Sequence, residues 1–336
     1  YYGRINYTYK EKYLFEALFR YDGSYLFPED TRYGFFPGAS AGWVVSEENF
    51  FKDNVSFLDY FKLKGSWGQL GNDNVAPFQF LASYGFSATG LGDVYTTAYE
   101  TKVPNTNITW ETQTSANFGF DLRAINNRLS LGFEVFRNLR ENILTLPNKT
   151  LPSYSGITPP AQNIGEFENT GIEITAGFNG ETNSGLTYNF SFNVSDSNNT
   201  LLFVDEPDFA DRPWQRETGG ELGRPLLYSF DGVFRSQAEI DSESLDYSGV
   251  TPLLKPGDAR VADINGDGKI TPADKQRTGG SAFADTQFGF NTSLAYKNFD
   301  FNMYWNGAAG GFNSYEWSFM SGTLANVQRD VFDRAW

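Results

Sequence analysis

A period of two runs through this chain from its first residue, and it limits the fold more than any other property of the sequence. Tyr1, Gly3, Ile5, Tyr7 and Tyr9 share one parity, while Arg4, Asn6, Thr8 and Lys10 take the other. Past Glu11 the pattern restarts, with Tyr13, Phe15, Ala17, Phe19 and Tyr21 on one side. It returns at Phe61, Leu63, Gly65 and Trp67, at Ala116, Phe118, Phe120 and Leu122, at Leu129 to Val135, and at Ile172, Ile174, Ala176 and Phe178. The cleanest run sets Leu186, Tyr188, Phe190, Phe192 and Val194 against Thr187, Asn189, Ser191, Asn193 and Ser195. Phe288, Phe290, Leu294 and Tyr296, then Phe299, Phe301, Met303 and Trp305, complete the series. Successive side chains of a strand point to opposite faces, so each run predicts a strand with one apolar and one polar face. With Phe35 to Val45, this gives about ten strands of roughly 9–11 residues, the length a tilted strand needs to cross a bilayer.

Alternation alone does not say whether the apolar faces meet lipid or a second sheet, and a soluble β-sandwich satisfies it equally. The connections separate the two. Tight ones fall at Lys10-Glu11-Lys12, Asn126-Asn127, Gly180 to Gly185 and Lys297-Asn298, rich in the residues turns favour. Between them lie long ones: Asp22 to Gly34, Leu70 to Thr114, Asn138 to Thr170 and Asp196 to Thr286. Glu47 to Phe57 is intermediate and falls where a short one is due. Short and long in alternation is the pattern of an outer-membrane barrel, with short periplasmic turns and long extracellular loops. Tyr1, Tyr9, Tyr13, Tyr21, Tyr296 and Trp305 stand at strand ends, as interfacial girdles require. The expected fold is therefore all-β, an antiparallel up-and-down transmembrane barrel.

Composition narrows the chemistry. The 336 residues include no histidine and no cysteine, which removes Ser-His-Asp and Cys-His catalysis, imidazole and thiolate metal sites, and disulfides. Carboxylates are numerous, but no spacing singles out a catalytic pair, so no enzyme is expected. A formal net charge of −15 opposes a nucleic-acid partner. No apolar run reaches the roughly 18–20 residues of a membrane helix, which does not bear on a barrel.

Several segments carry a resemblance. YYGRINYTYKEKYLFEALFRYDGSYLFPEDTRYGFFPGASAGWVVSEENF, then LDYFKLKGSWGQLGN, NITWETQTSANFGFDLRAINNRLSLGFEVFRN, NIGEFENTGIEITAGFN, GRPLLYSFDGVFRSQAEID and KPGDARVADINGDGKITPADKQ resemble, in order, the SusC/RagA-type TonB-dependent transporters of Bacteroidota outer membranes. The resemblance implies a 22-stranded barrel filled by an N-terminal plug. It also implies import of oligosaccharides or peptides, powered by the TonB complex, with a SusD-like surface lipoprotein as partner. On that reading residues 1–336 are part of the barrel domain of a longer polypeptide in the outer membrane of a Gram-negative bacterium, without its plug and last strands. Residues 196–286 are then a long extracellular loop.

That loop holds the motif Asp263-Ile-Asn265-Gly-Asp267-Gly268-Lys269-Ile270-Thr271-Pro-Ala-Asp274. It follows the twelve-residue calcium-loop pattern: side-chain oxygens from Asp263, Asn265 and Asp267, the Lys269 carbonyl, and Asp274 at position 12. Gly268 occupies the sharp turn, and Ile270 is placed to pack beneath. Hard oxygen ligands suit Ca²⁺ in a structural role. Asp274 stands where a longer bidentate Glu is usual, and an Asn/Gly/Asp turn without metal is the plain alternative. Of the loop aromatics, Trp110, Tyr154, Trp214 and Tyr228 are candidates either for stacking on sugar rings or for packing their own loops. Two other functions compete with transport: a secreted or surface β-sheet glycan-binding module stapled by calcium, and a dockerin-like attachment protein.

Overall fold

Aromatic and β-branched residues fit a pleated surface better than a helix, and the alternating runs all become strands. The computed structural model describes residues 1–91, 93–147 and 159–312, together with residue 329. The strands are β1 (Tyr2–Tyr9), β2 (Tyr13–Gly23), β3 (Tyr33–Val44), β4 (Leu58–Asn72), β5 (Ser83–Leu91), β6 (Asp93–Lys102), β7 (Glu111–Ala124), β8 (Leu129–Thr145), β9 (Gln162–Glu181), β10 (Leu186–Phe203), β11 (Leu226–Leu227), β12 (Phe230–Val233), β13 (Ala259–Val261), β14 (Gln276–Arg277), β15 (Thr286–Tyr296) and β16 (Phe299–Ala309). Ten of them form one sheet in the order β1-β2-β3-β4-β7-β8-β9-β10-β15-β16, an up-and-down meander with β1 and β16 at its edges.

Register keeps the faces sorted. Tyr9 lies opposite Tyr13, Tyr7 opposite Phe15, and Tyr13 in turn opposite Trp43. The same parity continues through Phe118 with Val135, Ile174 with Val194 and Phe290 with Trp305. A slip of one residue would move every aromatic to the polar side. The tight turns help to fix it. Lys10 and Glu11 both take positive φ, 51° and 56°, and the Lys12 amide donates to the Tyr9 carbonyl at 3.1 Å, the backbone of a primed hairpin turn.

The strands outrun the expected length toward the long connections. β8, β9 and β10 have 17, 20 and 18 residues. Beyond the alternating part, pairing continues from Asn138 with Asn169 to Thr145 with Gln162. Backbone hydrogen bonds need no hydrophobic pattern, so these extensions left no trace in the alternation. The 70–114 connection is also not structureless, because it contains the β5–β6 hairpin.

The chain divides into two compact units. The first, Tyr1–Pro207 with Thr218–Gly220 and Asp285–Ala309, contains the sheet; the second is Asp208–Glu217, Glu221–Ala284 and Gly310–Trp336. In the first, Phe27, Phe36, Ile108 and Trp110 form a buried cluster with Val75, Phe80 and Leu144 against it. In the second, Phe234, Tyr247 and Ile270 form the core. The aromatic face of the sheet is no core at all: Phe15 is 50% exposed, Phe118 59% and Trp305 64%. A β-sandwich would bury such residues between two sheets, so the exposure favours a wall whose apolar face meets something other than protein.

Candidate functional site

The opposite parity forms a continuous polar surface across the ten strands. Reading across one row, Gly42 lies beside Lys64, Lys64 beside Gly119, Gly119 beside Glu134, Glu134 beside Glu173, and Glu173 beside Ser195. Lys64 Nζ bridges Asp121 and Glu134 at 3.2 Å each. Arg4 pairs with Glu16 across β1 and β2, and Asn117 Nδ2 donates to Ser66 Oγ at 3.2 Å. Glycine, serine and threonine fill the gaps, so the face is shallow, polar and charged. Two concavities open on it, of about 430 Å³ beside Lys62 and Lys64 and about 410 Å³ beside Arg123. The sequence pattern showed the polar parity. The Lys64 bridge depends on inter-strand register, which one sequence does not state.

Both ends of the aromatic face carry ring stacks. At the tight-turn end Tyr9, Tyr13, Trp43 and Phe50 follow one another at centroid separations of 6.3, 6.5 and 6.4 Å. At the other end Tyr21 and Tyr33 stack at 5.4 Å. Glu48, in the β3–β4 connection, accepts from Lys12 Nζ at 2.9 Å, the Tyr13 hydroxyl at 2.7 Å and Trp43 Nε1 at 3.1 Å.

The loop aromatics have structural employment. Trp110 packs between Phe27 and Phe36 and donates Nε1–H to the Arg32 carbonyl. Trp214 donates to the Ala273 carbonyl at 2.9 Å. Tyr228 lies under the Lys275 ammonium, 5.0 Å from its ring centroid, and burial pushes its phenol pKa up. Tyr154 lies outside the described residues. Beside Trp214, Gln215 is a buried anchor that sequence reasoning missed. Its amide donates to the carbonyls of Pro272, Ala273 and Lys275.

In the 263–274 loop, Gly266 and Gly268 take positive φ, 73° and 79°, as a tight oxygen-lined turn requires. Asp263 accepts from the Gly266 amide at 2.8 Å and the Gly268 amide at 2.9 Å. These hydrogen bonds, the one from Gly268 above all, hold its carboxyl below the usual range. Asn265 Oδ1 accepts from the Asp267 amide at 2.9 Å, and Asp267 Oδ1 from the Lys269 amide at 2.8 Å. Asp274 is fully buried; one oxygen accepts from the Ile264 amide at 3.1 Å and the other from the Thr271 amide at 2.8 Å. It thereby stitches the two ends of the loop together, and Ile270 sits fully buried beneath. The donors are all hard oxygens, yet among the described residues no three acidic side chains converge as a metal cage. Protein hydrogen bonds alone account for the loop's shape.

Comparison with known proteins places this geometry. Residues 1–313 match the model of the family described as "TonB dependent receptor-like, beta-barrel". The TonB-dependent receptor P3 of Formosa agariphila is 33% identical over 92% of this chain, and SusC of Bacteroides thetaiotaomicron is 30% identical over 90%. The chain spans 31% and 30% of the length of those relatives. Among solved structures, the RagAB peptide importer in its open-open state aligns with a TM-score of 0.73 at 18% identity, over 92% of this chain and 32% of that one. The ten-stranded meander with one aromatic and one polar face belongs to the β-barrel of the TonB-dependent receptor family.

Proposed function

We propose that the intact protein is a TonB-dependent importer of the outer membrane, with this sheet forming part of its barrel wall. Its cargo is an oligosaccharide or a peptide, received with the help of a SusD-like lipoprotein. The observation that carries the reading is the division of one sheet into an exposed aromatic face, girdled by ring stacks, and a polar face of Ser, Asn, Gly and charged residues. Only lipid outside and water inside suit both faces at once. The names of the relatives, which are TonB-dependent receptors, support the energy source. Fractionation tests the location: the full-length protein should be recovered only from detergent-solubilised outer membrane. A soluble, monomeric, folded product would instead favour a secreted glycan-binding module. Uptake of a labelled oligosaccharide and a labelled peptide, with and without TonB, tests the cargo. Uptake that ignores TonB refutes the importer.

The same reading gives the 263–274 loop one structural Ca²⁺, held by Asp263, Asn265, Asp267, the Lys269 carbonyl and Asp274, with no part in chemistry. Its support is the all-oxygen donor set at calcium-loop spacing and the positive φ of Gly268. Titration calorimetry with Ca²⁺ should give heat with the intact protein and none with the Asp263→Ala, Asp267→Ala variant. Equal heats in both dismiss the ion.

A further inference from the structure

Among the described residues, three cations on the polar face have no acidic partner: Arg140, which donates to Gln113 Oε1 at 3.3 Å, and Lys62 and Arg123. Lys64 is held by Asp121 and Glu134, and Arg4 by Glu16, but Lys62 and Arg123 form no ion pair. Arg123 is nonetheless fixed: its guanidinium lies 4.6 Å from the centroid of the Tyr60 ring. A cation–π contact holds the guanidinium over the ring and consumes none of its N–H donors. An arginine also stays charged at any working pH.

Lys62 and Arg123 belong to one place. Lys62 of β4 lies directly opposite Asp121 of β7, and Arg123 is two residues further along the same face of β7. They are diagonal neighbours, roughly 7–8 Å apart at Cα. Between them Asp121 is already committed to Lys64. Lys62 borders the concavity of about 430 Å³ and Arg123 the one of about 410 Å³. Gly42, Ser66 and Gly119 line the first, and Ser130, Gly132 and Thr175 line the second. Such small residues let an extended chain lie close to the wall with its substituents reaching both cations. The free acid of this neighbourhood is Glu173, two strands from β7, so the favoured place for negative charge is on the β4–β7 side.

We propose that Arg123 and Lys62 form a carboxylate subsite on the polar wall, favouring cargo that carries acidic groups. The planar fork of Arg123 takes both oxygens of a carboxylate, and Lys62 adds a point charge. The carboxylate comes from a uronic acid of a saccharide or an acidic residue of a peptide. The use of the site in import rests on the proposed function; the binding itself does not.

The test uses the full-length transporter in detergent and calorimetry with four probes. These are a galacturonic acid tetramer, its methyl ester, a tetrapeptide with two Asp residues, and the same peptide with Asn in their place. The wild type should bind at least one acidic probe roughly tenfold more tightly than its neutral counterpart. Arg123→Gln and Lys62→Gln should each remove most of that preference without changing neutral binding, and Arg123→Lys should restore part of it. Whichever acid is preferred identifies the source. A wild type that binds acidic and neutral probes alike, or neither, overturns the proposal, as does a preference that survives in the double variant. Heat-modifiable migration on gels confirms that each variant has folded. Intact TonB-dependent uptake without acid preference removes this subsite alone. Acid preference without TonB-dependent uptake removes the importer and leaves the subsite.

Discussion

Glu48 shows how a single side chain ties the tight-turn end of the sheet together. It takes hydrogen bonds from an ammonium, a phenol and an indole belonging to β2, β3 and the turn before β2. The Lys12 hydrogen bond, followed by those from Tyr13 and Trp43, brings its pKa down to about 2 from 4.5. A carboxyl whose pKa is depressed by folding stabilises the fold fully above its unfolded value and loses that contribution as pH falls through the folded one. The relevant window is therefore about pH 4.5 down to about 2. Glu48→Gln keeps the shape and removes the charge. The variant should unfold at a lower temperature than wild type at pH 7, and the gap should shrink at pH 2.5. Thermal unfolding followed by heat-modifiable migration reads both values. An unchanged gap at the two pH values would show that the charge is not what matters. The sequence placed Tyr13 in the girdle but gave no sign of Glu48, which lies in a short irregular connection.

At the level of strands, parity was readable because each side chain reports its own face. What pairs with what was not readable. The glycines illustrate this. Gly3 faces Phe19, Gly23 faces Tyr33, Gly171 faces Phe136, Gly180 faces Tyr188 and Gly307 faces Phe288 across neighbouring strands. In each case a Cβ on the glycine would collide with the facing ring. Glycine is a weak strand residue by itself, and the ring laid across it replaces the missing side-chain contact. Gly307→Val should therefore destabilise the folded barrel by about 1–3 kcal/mol, and the cost should fall when Phe288→Ala is combined with it. Urea unfolding of both single variants and the double variant measures the coupling; simple additivity would mean that the pair does not interact. The second unit was still less legible. Its core residues Phe234, Tyr247 and Ile270 follow no period, because short strands and turns present them one at a time. Only the calcium-type motif signalled that Ile270 would be buried. Ile270→Ala should cost about 2–5 kcal/mol locally and appear as faster protease cleavage within residues 221–284, while the sheet stays resistant. Unchanged cleavage would place the stability of this unit elsewhere.

The whole molecule turns on which medium each face meets, and cysteine labelling measures it directly: these 336 residues contain no cysteine, and any elsewhere in the full-length protein are first replaced by serine. β10 offers a ruler, since Thr187, Asn189, Ser191, Asn193 and Ser195 lie on the polar face and Tyr188, Phe190, Phe192 and Val194 on the aromatic one. Single cysteines introduced at these positions in the full-length protein report through their chemistry, because a thiol reacts with maleimide as thiolate and needs water to ionise. In a bilayer, the even-numbered positions near the strand centre should resist a charged maleimide and quench a lipid-borne fluorophore. The odd-numbered ones should not quench that fluorophore, and should react with the maleimide only once cargo and TonB open the path along the wall. In a soluble sandwich the even positions would be buried in protein, blind to lipid probes, and the odd ones would react without TonB. Alternation in the sequence predicts two faces for either fold; alternation in lipid contact is possible only for a wall that divides a membrane from water.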